Sequence, residues 1–195
     1  MHDPSLLAVI KQLQILPGVG ERGAKRFMQH LLQFKRTEGV ELAKLLESVL
    51  RQTKHCQCCR NYTTDEVCVL CSQVHRNTQQ LCIVSSPEAI EVLEEAGYEG
   101  FYFVLFGLLS PIKGIGPVEL GLEALMQRAN ALGVSEVIVA LPGTVEGEAT
   151  TQMIMDHLPA SLKVSRLAQG VPRGSDVAHL DSLTLSQALQ ARSQV

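Results

Sequence analysis

Apolar residues in the first part of the chain recur every three or four positions, which is the period of an amphipathic helix. The pattern predicts a helix that begins at Pro4 with Asp3 as its N-cap, a second helix over residues 21–34, and a third over 37–53 with Thr37 as its N-cap. The third helix carries its apolar side chains at Val40, Leu42, Leu45, Leu46, Val49 and Leu50. An all-helical region is therefore predicted over residues 1–54.

After residue 79 the pattern changes to short apolar runs that alternate with amphipathic stretches. Strands are predicted at 81–84, 101–106, 136–141 and 162–167. Helices are predicted at 87–96 (capped by Ser85 or Ser86), 117–132, 146–158 and 184–192. This alternation predicts an α/β fold with an all-α N-terminal region, in which a mostly parallel sheet is flanked by helices.

Four segments follow from these patterns: 1–54 is helical, 55–78 is cysteine-rich, 79–168 is the α/β domain, and 169–195 is a C-terminal loop and helix. No apolar run approaches the roughly 18 residues that span a membrane. The first residues lack the basic region followed by an apolar region that is typical of a secretory signal. The expected location is cytoplasmic, where cysteines are more often metal ligands or free thiols than disulfides.

Charge is distributed unevenly, although the net formal charge is only −3. Residues 1–60 carry ten Lys or Arg against five Asp or Glu, whereas residues 61–195 carry seven against fifteen. A basic N-terminal third indicates an anionic partner for that part. Ordinary variation in charge between helices would give the same balance.

Four cysteines occur as two C-x-x-C pairs, Cys56/Cys59 and Cys68/Cys71, with eight residues between them. Two such knuckles can surround one Zn²⁺ with four thiolates. The segment is too short and polar to hold a core, so a single structural zinc is predicted, although four thiolates also suit iron. Cys58 could replace Cys59 as a ligand, and His55 and His75 flank the site. Cys82, in an apolar strand, is expected to be a core residue.

The segment Leu16-Pro-Gly-Val-Gly20 lies between two predicted helices and is followed by three cations: Arg22, Lys25 and Arg26. This is the pattern of a helix-hairpin-helix. Gly18 and Gly20 permit a tight turn and leave backbone N–H groups at a helix N-terminus, which can bind a DNA phosphate without contacting a base. The same residues could form an ordinary corner between helices.

Glu146 and Glu148 follow a predicted strand and open a helix. They could hold Mg²⁺ for phosphoryl transfer, or they could complement the dipole at the helix N-terminus. Two Gly/Pro-rich loops, 110–117 and 170–176, suit a ligand or subunit contact and suit plain connections equally well. Neither contains the sequence of a nucleotide-binding P-loop.

The order of these motifs resembles the RecR family, the recombination mediators of bacteria. The resemblance covers nearly the whole chain. It rests on five segments: 16–20, the four cysteines, 109–117, Thr144-Val-Glu-Gly-Glu-Ala-Thr150, and Gly170-Val-Pro172.

The resemblance implies a helix-hairpin-helix, a four-cysteine zinc finger, and a Toprim domain over 79–168. It also implies a homotetramer or dimer that clamps gapped or junction DNA in the repair of DNA damage. RecO and RecF would act with it to load recombinase. Arg22 and Arg26 match the basic positions expected to face DNA, and Glu146 and Glu148 match the acidic Toprim positions expected to face RecO. Residues 169–195 would serve oligomer contacts.

The chain departs from the family pattern at two places. Ser85 stands where Toprim enzymes have a glutamate, and Pro142-Gly143 replaces the usual Asn-Pro. Without that glutamate and an aspartate pair, a non-enzymatic role is expected, with no catalytic residue. The alternatives are a metal-dependent Toprim nuclease or topoisomerase-like enzyme and a zinc-bearing scaffold that contacts only proteins.

Overall fold

The chain forms two compact units, Met1–Thr53 and Lys54–Val195. A computed structural model describes residues 3–168, 171 and 174–190, without the side chains of residues 183, 187 and 190. The cysteine-rich segment lies within the second unit. Among the described residues, no helix is both long enough and apolar enough to cross a membrane.

The first unit consists of three helices. They are α1 (Pro4–Leu13), α2 (Glu21–Phe34) and α3 (Arg36–Gln52). The predicted cap at Asp3 is confirmed, because its side chain accepts hydrogen bonds from the N–H groups of Ser5 and Leu6. The predicted cap at Thr37 is wrong. Only Lys35 separates α2 from α3, so Thr37 already lies in the first turn of the helix.

The apolar face of α3 is largely uncovered by the rest of the first unit. No residue of α3 is buried, and all six of its predicted apolar side chains are at least half exposed. The buried positions of the first unit are Ile10 and Ala24. The apolar side chains that the sequence assigns to α3 are therefore not buried by the other two helices of the unit.

The cysteine module opens the second unit. It contains a two-stranded antiparallel hairpin, β1 (Lys54–His55) with β2 (Tyr62–Thr63), and the short helix α4 (Val69–Ser72). Its buried side chains are cysteines, Cys56, Cys59 and Cys68. A segment with so little apolar content needs another source of stability, as the sequence predicts.

A four-stranded parallel sheet forms the centre of the second unit, in the order β4-β3-β5-β6. The strands are β3 (Asn77–Val84), β4 (Gly100–Val104), β5 (Glu136–Ala140) and β6 (Lys163–Arg166). The predicted parallel sheet is confirmed. Because Leu81–Val84 of β3 and all of β4 are buried on both faces, these segments read as continuous apolar runs rather than as alternating ones.

Helices cover both faces of this sheet. They are α5 (Glu88–Glu95), α6 (Leu122–Leu132) and α7 (Val145–His157). Ile90 of α5 packs with Val84 and Tyr102 on one face. Leu125 of α6 and Ile154 of α7 belong to the larger core on the other face.

Two predicted helix starts are wrong. α6 begins at Leu122 rather than residue 117, because Gly121 has a left-handed backbone (φ 72°) that a continuous helix cannot contain. α5 begins at Glu88 with Pro87 as its N-cap residue, and no side chain caps it. The Ser86 side chain interacts with the Glu88 carboxylate rather than capping the helix, and this interaction holds the pKa of Glu88 below its usual value.

The last helix, α8 (Ser182–Gln190), begins two residues before the predicted start. Residues 191 and 192 of the predicted helix lie outside the described residues. So do Gly170, Pro172 and Arg173 of the predicted loop 170–176.

Candidate functional site

The structure brings together the sulfur atoms of Cys56, Cys59, Cys68 and Cys71, all within 4.8 Å of one another. A tetrahedral site with zinc–sulfur bonds of about 2.3 Å has sulfur–sulfur separations of about 3.8 Å. The Cys59 and Cys68 sulfurs are 3.5 Å apart. The four side chains can therefore hold one metal ion with little movement.

Hydrogen bonds to the sulfur atoms also fit a thiolate site. The N–H groups of Cys58 and Cys68 lie 3.4 Å and 3.3 Å from Cys56 Sγ, and the N–H of Asn61 lies 3.5 Å from Cys59 Sγ. Donors around a sulfur stabilise its anionic form. Hydrogen bonds among the thiols lower the pKa of Cys68 and raise the pKa values of Cys59 and Cys71.

The other candidate ligands lie outside this cluster. Cys58 is in the first knuckle but does not join the group of four. His55 shares a hydrogen bond of 2.9 Å between its Nδ1 and the Arg60 carbonyl oxygen, and His75 is exposed. Cys82 is buried in β3, where burial raises the pKa of its thiol to about 12. It therefore behaves as the predicted core residue.

The cysteine module is attached to the sheet through its first knuckle. The carbonyl oxygen of Cys59 accepts a hydrogen bond from the N–H of Val104, at the end of β4 (2.9 Å). Arg60 has a left-handed backbone (φ 65°), and its guanidinium donates to the carbonyl oxygens of Leu120 and Glu119. A Cβ at Gly121 would overlap that guanidinium, which gives a second reason for glycine there.

Arg76 attaches the other end of the module. Its side chain is buried and donates to the Gly100 carbonyl oxygen (2.7 Å) and to Glu94 Oε2 (2.5 Å). It also lies over the ring of Tyr102. Sequence reasoning missed Arg60 and Arg76, because nothing in the spacing of a single arginine shows which carbonyl groups it meets.

The Gly18–Gly20 turn joins α1 to α2 as predicted. Gly18 has a left-handed backbone (φ 78°), and Gly20 is the extended N-cap residue of α2. The first intrahelical bond runs from the Ala24 N–H to the Gly20 carbonyl. The N–H groups of residues 21–23 therefore point out of the helix N-terminus, where a phosphate can accept from them.

The three predicted cations of α2 differ in their surroundings. Arg22 and Arg26 are exposed and lie one turn apart, so they share one side of the helix. Lys25 is partly buried and bonds Glu21 Oε1 at 2.5 Å. This pair reduces the charge that Lys25 offers to another molecule, whereas no acid neutralises the two arginines within the described contacts.

Glu146 and Glu148 occupy the first turn of α7, which Thr144 caps by accepting from the N–H of Gly147 (3.2 Å). Glu148 is paired with Arg166 of β6. Among the described residues, the only group of three or more potential metal ligands is the cysteine cluster. The two carboxylates therefore fit the interpretation that they complement the helix dipole.

Gly147 between the two glutamates is required by packing. A Cβ at this position would overlap the carbonyl oxygen of Pro142. Ser85, which replaces the Toprim glutamate, directly follows β3 at the carboxyl edge of the sheet and is partly buried.

Comparison with known families agrees with this architecture. The family described as "RecR, helix-hairpin-helix" matches residues 6–50, which contain all of α2 and most of α1 and α3. The Toprim domain family matches residues 79–168, which contain most of the parallel sheet and the helices on its faces.

Full-length relatives agree as well. The chain is 44% identical to the recombination protein RecR of Xanthomonas campestris pv. campestris (strain 8004) over 192 residues, covering 96% of both chains. It is 44% identical to the protein of the same name from Psychrobacter cryohalolentis, covering 95% of both, and 42% identical to that from Hydrogenovibrio crunogenus, covering 100% of both. With both domains matched and this identity over nearly its full length, the chain belongs to the RecR family of recombination proteins.

Proposed function

We propose that this chain is a non-catalytic, cytoplasmic mediator of recombination in the repair of damaged DNA. It binds gaps or junctions between single- and double-stranded DNA. The observation that carries the proposal is that Arg22 and Arg26, beside the open N-terminus of α2, form no ion pair with any described residue, in a chain of the RecR family. Such a surface contacts phosphates, so the binding is expected to be independent of sequence and sensitive to salt.

Charge reversal tests this assignment. The double variant Arg22→Glu and Arg26→Glu is compared with the wild type for binding to gapped DNA, by fluorescence anisotropy over a range of salt concentrations. We expect at least a tenfold loss of affinity, and a salt dependence reduced by about two phosphate contacts. Lys11→Glu with Lys44→Glu is the matched control, since both lysines are exposed in the same unit.

The same variants distinguish the proposal from a scaffold that contacts only proteins. A scaffold predicts that neither double variant changes retention on DNA. Equal losses in both would show that the net charge of the helical unit, rather than the turn before α2, determines binding.

A structural Zn²⁺ is the proposed cofactor, one per chain, held by Cys56, Cys59, Cys68 and Cys71. The ion would cross-link the two knuckles of a segment that has no apolar core of its own. Metal analysis of the purified chain is expected to give one zinc per chain. Cys56→Ser and Cys68→Ser are expected to lose it, and Cys58→Ser to retain it. Iron in place of zinc would contradict the assignment.

RecO and RecF are the proposed protein partners, with Glu146 and Glu148 at the RecO contact. Both carboxylates are exposed on the first turn of α7, where a basic partner surface can reach them. Direct titration of labelled RecO tests this proposal. Binding that is unaffected by changing both glutamates to glutamine would place the contact elsewhere.

Self-association is proposed to build the clamp as a homotetramer or a dimer. The half-exposed apolar face of α3 supports one contact, because α1 and α2 leave those side chains uncovered. The C-terminal segment 169–195 is proposed to supply a second contact. A monomer at every concentration in light scattering would contradict both.

A metal-dependent Toprim nuclease is the alternative function. Ser85 cannot serve as the general acid or base that a glutamate supplies at that position. Supercoiled DNA incubated with the protein and Mg²⁺ is therefore expected to remain intact. Conversion to nicked circles that increases with protein concentration would favour the enzyme.

A further inference from the structure

Arg128 connects the α/β domain to the proposed metal site. It lies on α6, and its Nη2 is 3.4 Å from the sulfur of Cys71. Its guanidinium also lies over the ring of Phe101 in β4, at 4.9 Å from the ring centroid. The side chain is thus fixed between the sheet and the second knuckle, although it is distant from both knuckles in the sequence.

The surroundings of Cys71 differ from those of the other ligands. Backbone N–H groups donate to the sulfurs of Cys56 and Cys59, whereas a charged side chain donates to Cys71. A hydrogen bond from a guanidinium to an anionic acceptor is about twice as strong as a neutral one. Of the four thiolates, Cys71 therefore has the strongest single donor from outside the module.

Charge gives a second reason for a cation at this place. Four thiolates around one Zn²⁺ leave a net charge of −2 on a cluster whose side chains are mostly buried. A charge in such surroundings is costly unless an opposite charge is close. Arg128 supplies that charge. The Nε of Arg128 is buried without a hydrogen-bond partner among the described residues. The buried guanidinium charge is therefore itself stabilised by the nearby thiolates.

We propose that Arg128 is a positioning residue of the metal centre, which orients the Cys71 thiolate and compensates the charge of the four-thiolate site. The proposal rests on the metal site proposed above. It makes metal affinity a property of the α/β domain as well as of the cysteine module. Partners of this kind outside the ligand shell change metal affinity by about 10- to 100-fold when they are removed.

Chelator competition on the full-length, zinc-loaded protein tests the proposal. Arg128→Gln removes the charge and keeps a polar side chain of similar length, and Arg128→Lys keeps the charge without the planar donor. We expect about a 10- to 100-fold loss of apparent zinc affinity in Arg128→Gln, and an intermediate loss in Arg128→Lys. Arg166→Gln is the matched control, since it removes an arginine from the same domain, and it is expected to change the affinity less than twofold.

The absorption spectrum of the Co²⁺-loaded protein is a second measurement, and a general loss of stability would not change it. In the Co²⁺-loaded protein, a donor to a thiolate lowers the energy of the sulfur lone pairs. Its removal is expected to shift the sulfur-to-cobalt charge-transfer band to longer wavelength in Arg128→Gln, with partial recovery in Arg128→Lys. The band of Arg166→Gln is expected to match that of the wild type.

The outcomes separate this inference from the metal site itself. Tight zinc binding by the wild type, with the same affinity and the same cobalt spectrum in Arg128→Gln, would overturn the role of Arg128 and leave the site intact. A wild type that binds no metal at the four cysteines would overturn both. If Arg128→Gln fails to fold, Arg128→Lys tests the proposal instead. Wild-type zinc affinity and a wild-type cobalt spectrum in Arg128→Lys would contradict a need for the planar guanidinium.

Discussion

Arg166 holds Glu148 through both carboxylate oxygens, with distances from Nη1 of 2.8 and 2.7 Å. The pair links the edge strand β6 to the first turn of α7, and both side chains are partly exposed. Glu146, one position before the intervening glycine, has no such partner among the described ion pairs. The two acidic positions of the motif are thus electrostatically unequal.

If Glu146 and Glu148 contact RecO as proposed, this inequality predicts different effects of their substitution on RecO binding. Glu146→Gln removes an unpaired charge and is expected to weaken binding about tenfold, whereas Glu148→Gln removes a charge that Arg166 already offsets and is expected to weaken it less than threefold. Titration of labelled RecO at low and moderate salt measures both. Glu123→Gln, on the exposed side of α6, is the control. Equal losses in the two variants would mean that RecO displaces Arg166 from Glu148.

Acid is expected to weaken the α/β unit through Glu136. This carboxylate accepts from Lys163 (2.9 Å), Ser165 (2.7 Å) and Gln80 (2.9 Å), and so connects three strands. The ammonium of Lys163, with the Ser165 and Gln80 donors, lowers the pKa of Glu136 to about 2. Because the folded-state pKa is depressed, the stabilisation is fully present above about pH 4.5 and is lost as the pH falls toward 2.

Glu136→Gln tests this in urea unfolding at several pH values. At neutral pH the variant is expected to be about 1–2 kcal/mol less stable than the wild type, since it loses hydrogen bonds to a charged group. That difference should shrink as the pH falls toward 2. A difference that stays constant over this range would contradict the titration of Glu136.

Gly147→Ala is expected to destabilise the α/β unit by about 1–3 kcal/mol, because the new Cβ would overlap the Pro142 carbonyl oxygen and force the loop or the helix to move. Thermal unfolding measures the loss. Gly23→Ala in α2 is the matched control, since the nearest atom to a new Cβ there is 3.9 Å away. Alanine in that helix is expected to be neutral or slightly stabilising.

Leu46→Glu on α3 is expected to reduce the size of the assembly, because a charge replaces a half-exposed apolar side chain at the proposed contact. Light scattering over a range of concentrations measures the mass. Val118→Glu is the control, since Val118 is more exposed and lies in the other unit. An unchanged mass in Leu46→Glu would place the contact away from α3.

Removal of the proposed metal is expected to affect more than the cysteine module. All three tyrosines, Tyr62, Tyr98 and Tyr102, lie in the second unit, so their near-ultraviolet circular dichroism reports on that unit alone. Zinc contributes on the order of 10 kcal/mol to small cysteine sites. Since Cys59 and Arg60 bond to the sheet and to the loop before α6, we expect a chelator to lower the melting temperature of this tyrosine signal. Identical melting curves with and without chelator would contradict a structural metal.

The sequence predicted what depends on local periodicity and spacing. The parallel sheet, the three N-terminal helices and the Asp3 cap follow from residues close to one another in the chain. The errors at Thr37 and at the start of α6 have a different origin. In both cases a neighbouring element determines where the helix begins. Only one residue separates α2 from α3, and Gly121 has a left-handed backbone against the Arg60 side chain.

In the candidate sites, too, the features that depend on local spacing were predictable and those that depend on distant contacts were not. The spacing of the two C-x-x-C pairs identified the four cysteines that the structure brings together. The contacts of the nearby arginines could not be predicted, because Arg60, Arg76 and Arg128 bond to Leu120, Gly100 and Cys71, which lie 24 to 60 positions away in the chain. Contacts of that range depend on the completed fold, and an isolated arginine in a sequence carries no sign of its partner.

The hydrogen bond between Cys59 and Val104 has a consequence for solubility. β4 is an edge strand of the sheet, and its outer side carries polar backbone groups that an extended segment of another chain could pair with. Two of these groups already have hydrogen-bond partners: the Val104 N–H donates to the Cys59 carbonyl oxygen, and the Gly100 carbonyl oxygen accepts from the Arg76 guanidinium. Loss of the proposed metal is therefore expected to loosen the contacts that cover this edge strand, and to be accompanied by intermolecular β-pairing and aggregation.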